Sequence, residues 1–178
     1  ASMLDAFVIA AICPPGSVAA VKREALFYPG LGLAIGCLRF LIIDRANSGR
    51  AIVALDREAR RLRCERLTVF IAPEGTRSRD GSLLPFKRGA FHLAVRGGAP
   101  IVPVIVCGAF ELHPYGRWWS TPGVVRVRVL PPISTDGLGL PNVSALAAQV
   151  RSQMQHALRL TPDGPHPRAL PRSPRRPA

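Results

Sequence analysis

With 178 residues, 48% of them apolar, the chain is long enough for one domain with a real core and too hydrophobic for a disordered protein. A formal net charge of +13 points to an anionic partner. With aromatics at only 6% and no recognition motif, that partner is a membrane surface or a phosphorylated substrate and not a nucleic acid.

The basic residues are almost all arginine, Lys22 and Lys87 being the two lysines, a bias that partly reflects codon composition beside the abundant Ala, Gly and Pro. The longest apolar stretch, 31–43, contains Arg39 and falls short of the roughly 20 residues that cross a bilayer. No signal-peptide pattern opens the chain, so no transmembrane segment is expected in it.

An apolar segment, 7–12, comes first, with Asp5 ahead of it at a helix start, where a carboxylate suits the helix dipole. Pro14-Pro15-Gly16 breaks it. Residues 18–22 read as a short strand, 29–37 as a small-residue helix, and 40–43 as a buried strand that closes on Asp44-Arg45. Charged residues at the carboxyl end of an apolar strand are where α/β proteins keep ligand contacts, although a plain loop ion pair fits there too. Over 48–63 the pattern is helical, with Ile52, Leu55, Ala59 and Leu62 at three- and four-residue steps. Arg57, Arg60, Arg61 and Arg63 lie largely off that stripe, on a solvated face or one laid against phospholipid headgroups or other phosphates.

The centre of the chain is the run from 67 to 91. Residues 67–71 are β-branched and aromatic enough for a buried strand, which stops at Pro73. A polar loop with Gly75 and Gly81 follows, and beyond Pro85 a helix with Phe91, Leu93, Ala94 and Val95 on its apolar side. Strand, glycine-bearing loop and helix form the layout in which α/β proteins collect anions beyond the carboxyl ends of their strands. Glycine allows close backbone approach, and Arg77 offers a planar fork to a phosphate.

Gly97-Gly98 ends that helix. Residues 100–106 are continuously apolar, which predicts a strand buried on both faces. The alternation of strands and helices predicts an α/β fold, a mixed and largely parallel sheet flanked by helices. Tyr115-Gly116-Arg117-Trp118-Trp119 is either a packed loop or an interfacial anchor. Val125, Val127 and Val129 alternate with Arg126 and Arg128 as a half-exposed strand. Asn142 is placed to cap a last helix striped by Val143, Leu146, Ala147, Val150, Met154 and Leu158. Residues 1–160 form the expected domain, and 161–178 a Pro/Arg-rich disordered tail. Cys13, Cys37, Cys64 and Cys107 have neither metal spacing nor a disulfide framework and are expected as reduced, buried thiols.

The order Pro73-Glu74-Gly75-Thr76-Arg77-Ser78 resembles the signature of the glycerophospholipid acyltransferases, in particular the 1-acylglycerol-3-phosphate acyltransferases. Further blocks of that family have counterparts over roughly residues 1–160. Ile42-Ile43-Asp44-Arg45 resembles the second block, with Ile42 for an aromatic residue and Arg39 where a glycine is usual. Ala72 replaces the usual aromatic before Pro73. Pro100-Ile101-Val102-Pro103-Val104 resembles the fourth block, and the stretches 84–95 and 129–132 are also similar to the lysophosphatidate enzymes. In the first block, Asn-His-x-Ser-x-x-Asp, Ser2 and Asp5 fit the later positions. The histidine, the family's general base, would then fall immediately before Ala1.

The resemblance implies a glycerolipid acyltransferase fold and an O-acyltransferase that needs no cofactor or metal. Acyl-CoA or acyl-carrier protein serves as donor, and the sn-2 hydroxyl of 1-acyl-sn-glycerol 3-phosphate as acceptor, giving phosphatidate. Asp5 would orient the histidine, Arg77 would hold the acceptor phosphate with Arg45 and Lys87 nearby, and Glu74, Gly75 and Thr76 would shape the loop. The 178 residues alone, without that histidine, are expected to be inactive. Membrane association with a cytosol-facing site follows, at the endoplasmic reticulum in a eukaryote or the inner membrane in a bacterium. The alternatives are a glycerol 3-phosphate or lysophospholipid acceptor, and a non-catalytic basic module that binds lipid or acyl carrier.

Overall fold

Three short strands form a parallel sheet: β1 (Val18–Val21) in the middle, β2 (Arg39–Ile42) on one side and β3 (Val69–Ile71) on the other. The computed structural model describes residues 8, 11–14, 17–21, 39–42, 48–76, 78, 81–113 and 121–160. Asp5, Arg45 and Arg77 lie outside them, as do Cys37, the helix expected over 29–37, the Trp118-Trp119 segment and the tail from 161.

Parallel strands need a crossover, and α1 (Ser48–Cys64) lies in sequence between β2 and β3, the two strands that flank β1. Its apolar stripe behaves as the spacing predicts, with Ala59 and Leu62 buried and Leu55 half-buried. The arginines on the other side are partly neutralised within the helix. Arg61 pairs with Glu58 at 2.9 Å and with Glu65 at 3.1 Å, and Arg57 pairs with Glu58 at 3.2 Å. The hydrogen bond to Glu65, then the charge of Glu58, raise the pKa of Arg61.

The helix expected after Pro85 is α2 (Gly89–Gly97), and Pro85 to Arg88 remain in the connection before it. Gly98 ends it in the left-handed conformation at φ 60°, where the cap N–H groups reach the carbonyls of Ala94 and Val95. Leu93, 1% exposed, joins Val18, Ala59 and Leu62 in one part of the core. Phe91 on the neighbouring side meets Val143, Leu146, Ala147 and Val150 of the last long helix, α4 (Val143–Arg159).

The expected strand over 100–106 is corrected by the structure. Ile101 makes only an isolated bridge to Ile133, Val102 is 48% exposed, and β4 runs from Val104 to Cys107. Pro100 and Pro103 have no N–H to give a ladder, so pairing becomes continuous only past the second proline. Burial along β4 alternates rather than covering both faces, and its antiparallel partner β5 (Arg126–Val129), expected to be half-exposed, is mostly exposed, with Val129 at 62%. A four-residue helix, α3 (Ala109–Leu112), follows β4. The α/β class holds, with the parallel and antiparallel pairings in separate sheets among the described residues.

Two smaller expectations also change. Asn142 does not cap α4: its own backbone is helical, and its Oδ1 accepts the Gly139 N–H at 2.9 Å across a 3-10 turn, Leu140–Asn142. Pro141, with its preset φ, begins the helical geometry early. Of the cysteines, Cys107 is buried, Cys13 half-buried and Cys64 exposed. Cys64 ends α1 two residues past Leu62, which turns it away from the packed stripe.

Candidate functional site

β3 ends at Ile71, and the chain turns at once. The Gly75 N–H reaches back to the Ala72 carbonyl at 3.2 Å, with Gly75 at φ 65°. Two bonds then close the loop against the segment leading to α2. The Lys87 N–H donates to the Pro73 carbonyl at 2.8 Å, and the Leu84 N–H donates to Glu74 Oε2 at 3.2 Å. The Glu74 side chain therefore acts on the loop's own backbone. Ser78 is buried, at 3% exposure, and Thr76 faces solvent.

Farther round the loop, Gly81 adopts φ 80° and lies against the Phe110 ring; a Cβ there would come within 3.2 Å of it. Side chains rarely accept such a φ, and the close ring removes the remaining room. Phe86 and Phe91 stack with centroids 6.1 Å apart, joining the connection to the first turn of α2. Lys87 and Arg88 are exposed beside this stack. Of the residues singled out in the sequence, the structure thus gathers Glu74, Gly75, Thr76 and Lys87 at the carboxyl end of β3.

His92 lies one turn into α2, half-buried. Burial, then the charges of Arg96 and Arg88 a turn to either side, push its pKa below the usual 6.5.

Below the loop an apolar cleft of 620 Å³ runs between the outer edges of β3 and β4. Thr68 to Ile71 line one wall, Val102, Pro103 and Val104 the other, and Ala90, Phe91 and Ala94 of α2 the roof. Pro73, the first residue of the loop, lines the cleft as well, so the polar turn and the apolar cavity adjoin. Ile12, Val102 and Val129, all substantially exposed, edge its mouth. Sequence reasoning missed the cleft, because the apolar run 100–106 reads as a strand packed on both faces. The prolines at 100 and 103 were the signal that it would not be.

Residues 1–107 match the acyltransferase family model. The chain belongs to this acyltransferase family. Its relatives include 1-acyl-sn-glycerol-3-phosphate acyltransferase alpha of Mus musculus, 41% identical over 154 residues, which are 86% of this chain and 54% of that one. The Homo sapiens protein of the same name is 40% identical over 164 residues, 92% of this chain and 58% of its own. The 1-acyl-sn-glycerol-3-phosphate acyltransferase of Saccharomyces cerevisiae is 36% identical over 160 residues, 89% of this chain and 53% of its own. The chain spans little more than half the length of these relatives. Among solved structures, the fold is similar to that of the 1-acyl-sn-glycerophosphate acyltransferase PlsC of Thermotoga maritima, with a TM-score of 0.66 and 28% identity. That likeness covers 89% of this chain and 63% of the other.

As a member of this family, the chain carries its Glu-Gly-Thr sequence on the loop whose first residue, Pro73, lines the apolar cleft. The cleft falls within the roughly 300–1,000 Å³ typical of small-molecule pockets.

Proposed function

We propose that the chain is the transferase part of an enzyme that moves an acyl group from acyl-CoA or acyl-carrier protein to 1-acyl-sn-glycerol 3-phosphate. The product is phosphatidate, made as a step of phospholipid biosynthesis. One observation carries this reading: Pro73, which lines the 620 Å³ apolar cleft, leads directly into the Glu74-Gly75-Thr76 turn, on which Arg77 follows in sequence. The relatives' names support the acceptor.

In this mechanism the acceptor's phosphate meets Arg77, with Lys87 and Arg45 adding positive charge. The free hydroxyl attacks the donor's thioester carbonyl, and a C–O bond replaces the C–S bond. The hydroxyl proton passes to a histidine, which in this reading stands in the place immediately before Ala1, oriented by Asp5. The proton finally leaves with the thiol of the carrier. A hydroxyl is a weak nucleophile at neutral pH, so positioning by the loop and removal of the proton supply most of the acceleration. No metal or covalent enzyme intermediate is needed. The enzyme works at a membrane surface with the site towards the cytosol, at the endoplasmic reticulum or a bacterial inner membrane.

The test begins with the coding sequence ahead of Ala1. An in-frame Asn-His, and phosphatidate formation by the protein carrying those residues, is the expected result. In that protein, Arg77→Ala should raise the acceptor KM by about tenfold or more and leave the donor KM alone, as expected for a lost charge-assisted contact. Binding to lipid vesicles without any acyl transfer would replace the enzyme with a lipid-binding module.

A further inference from the structure

Arg151 of α4 uses its charge in an unusual place. Its Nε donates to the Leu84 carbonyl at 3.4 Å and its Nη2 to the Leu83 carbonyl at 3.2 Å. With the Gln155 amide turned so that its oxygen faces the guanidinium, that oxygen accepts from Nη1 at 3.1 Å and Nη2 at 3.2 Å. Every nitrogen of the fork is engaged, and among the described residues no carboxylate pairs with it. A half-buried guanidinium spent on two consecutive backbone carbonyls fixes a stretch of main chain rather than a charge.

That stretch is the one holding the site loop. Leu84, gripped at its carbonyl by Arg151, donates its N–H to Glu74 Oε2 at 3.2 Å. Three residues on, Lys87 closes the loop's neck through Pro73. The other end of the linkage is firm: Val143, Leu146, Ala147 and Val150 of α4 are buried against Phe91, so Arg151 projects from a helix seated in the core. In sequence it follows Ala147 by four residues, at the edge of the apolar stripe, where a charged residue reads only as a boundary.

We propose that Arg151 is a positioning residue for the acceptor. From α4 it fixes Leu83 and Leu84, through Leu84 it fixes the Glu74 carboxylate, and so it sets Gly75 and Thr76 ahead of the phosphate-holding arginine. The kinetic part rests on the function proposed above; the structural part does not.

The test uses Arg151→Lys, which keeps the charge and stem but cannot span two carbonyls, and Arg151→Met, which removes both. Two readouts are needed, in the protein carrying whatever is encoded ahead of Ala1. The first is hydrogen exchange of the Leu84 amide without substrate, with the Leu93 amide as the core reference. The second is steady-state acylation of 1-oleoyl lysophosphatidate by oleoyl-CoA. The expected result is Leu84 exchange faster by about tenfold at unchanged Leu93 protection, with the acceptor KM raised about tenfold and the donor KM and kcat little altered. Unchanged Leu84 exchange in Arg151→Lys overturns the proposal, as does a fall in kcat alone or an equal rise in both KM values. Should Arg151→Met fail to fold, Arg151→Lys decides. Faster Leu84 exchange in a protein that never acylates lysophosphatidate would uphold the Arg151 linkage and refute the proposed reaction.

Discussion

His92 shows how much one side chain's neighbours decide. It lies half-buried in α2 between two arginines. Burial first, then Arg96 and Arg88, disfavour its protonated form, so below pH 6.5 the unfolded chain takes up the proton before the folded one does. Its contribution to stability is complete above pH 6.5 and is lost as the pH falls towards the lowered folded value. An NMR titration should place the His92 midpoint below 6.5, and His92→Gln should remove that share of the acid sensitivity. A midpoint at or above 6.5 would contradict the environment described. The cysteines divide as sharply: Cys64 should react with a thiol reagent in the native protein, while Cys107 should wait for unfolding. Equal rates for the two would refute that assignment. Neither difference was legible from composition, because exposure depends on which face each element turns inward and where it ends. Asn142 teaches the same lesson, since a residue of the right type for a cap was recruited by the turn before it.

At the scale of elements, the helices were the most legible part. Period alone located α1, α2 and α4, because each buries one stripe, and a stripe leaves its mark on the sequence. The pair α1 and α2 carries the packing behind the site. Leu62 meets Leu93 and Val18, and Gly97 approaches so closely that a Cβ on it would lie 3.2 Å from the Leu62 side chain. The pair is also tied by Arg96 with Asp56 and by the Arg63 guanidinium on the Arg96 carbonyl. Leu62→Ala should cost about 2–4 kcal/mol in chemical denaturation, from lost burial and an incompletely collapsed cavity. Arg57→Ala, on the exposed side of α1, should change stability by no more than about 0.5 kcal/mol. Comparable losses from the two would mean that α1 faces the other way. Strands were less legible than helices: the apolar run 100–106 says that the segment is sheltered but not what shelters it. Here two prolines interrupt the pairing and open a cavity instead of a ladder.

For the molecule as a whole, the family and its loop could be recognised from ordered blocks of residues, whereas the cleft draws its lining from segments far apart in the chain. The site was partly legible for the same reason. Glu74, Gly75, Thr76 and Lys87 are near one another in sequence, so their gathering at one strand end follows from local chain direction. The cleft walls come from residues 68–71 and 102–104, with α2 between them in sequence. If the cleft holds an aliphatic chain, a charge at its mouth should be felt by substrate and hardly by the fold. Val102→Asp, at a residue 48% exposed, should leave the melting temperature within about 2 °C while raising the KM for a long-chain acyl substrate by about tenfold. Unaltered KM values for both donor and acceptor would show that the chain lies elsewhere.

β1 is the earliest strand described, yet it lies in the middle of its sheet, with Val18 in register with both Arg39 and Val69. During synthesis it must therefore wait, with both edges unpaired until β2 has emerged and one edge unpaired until the ribosome has released the chain past Ile71. Contacts so distant along the chain slow folding and leave a sticky apolar strand exposed in the meantime. Production at lower temperature or with a holding chaperone should thus raise the soluble yield more than any change at the surface.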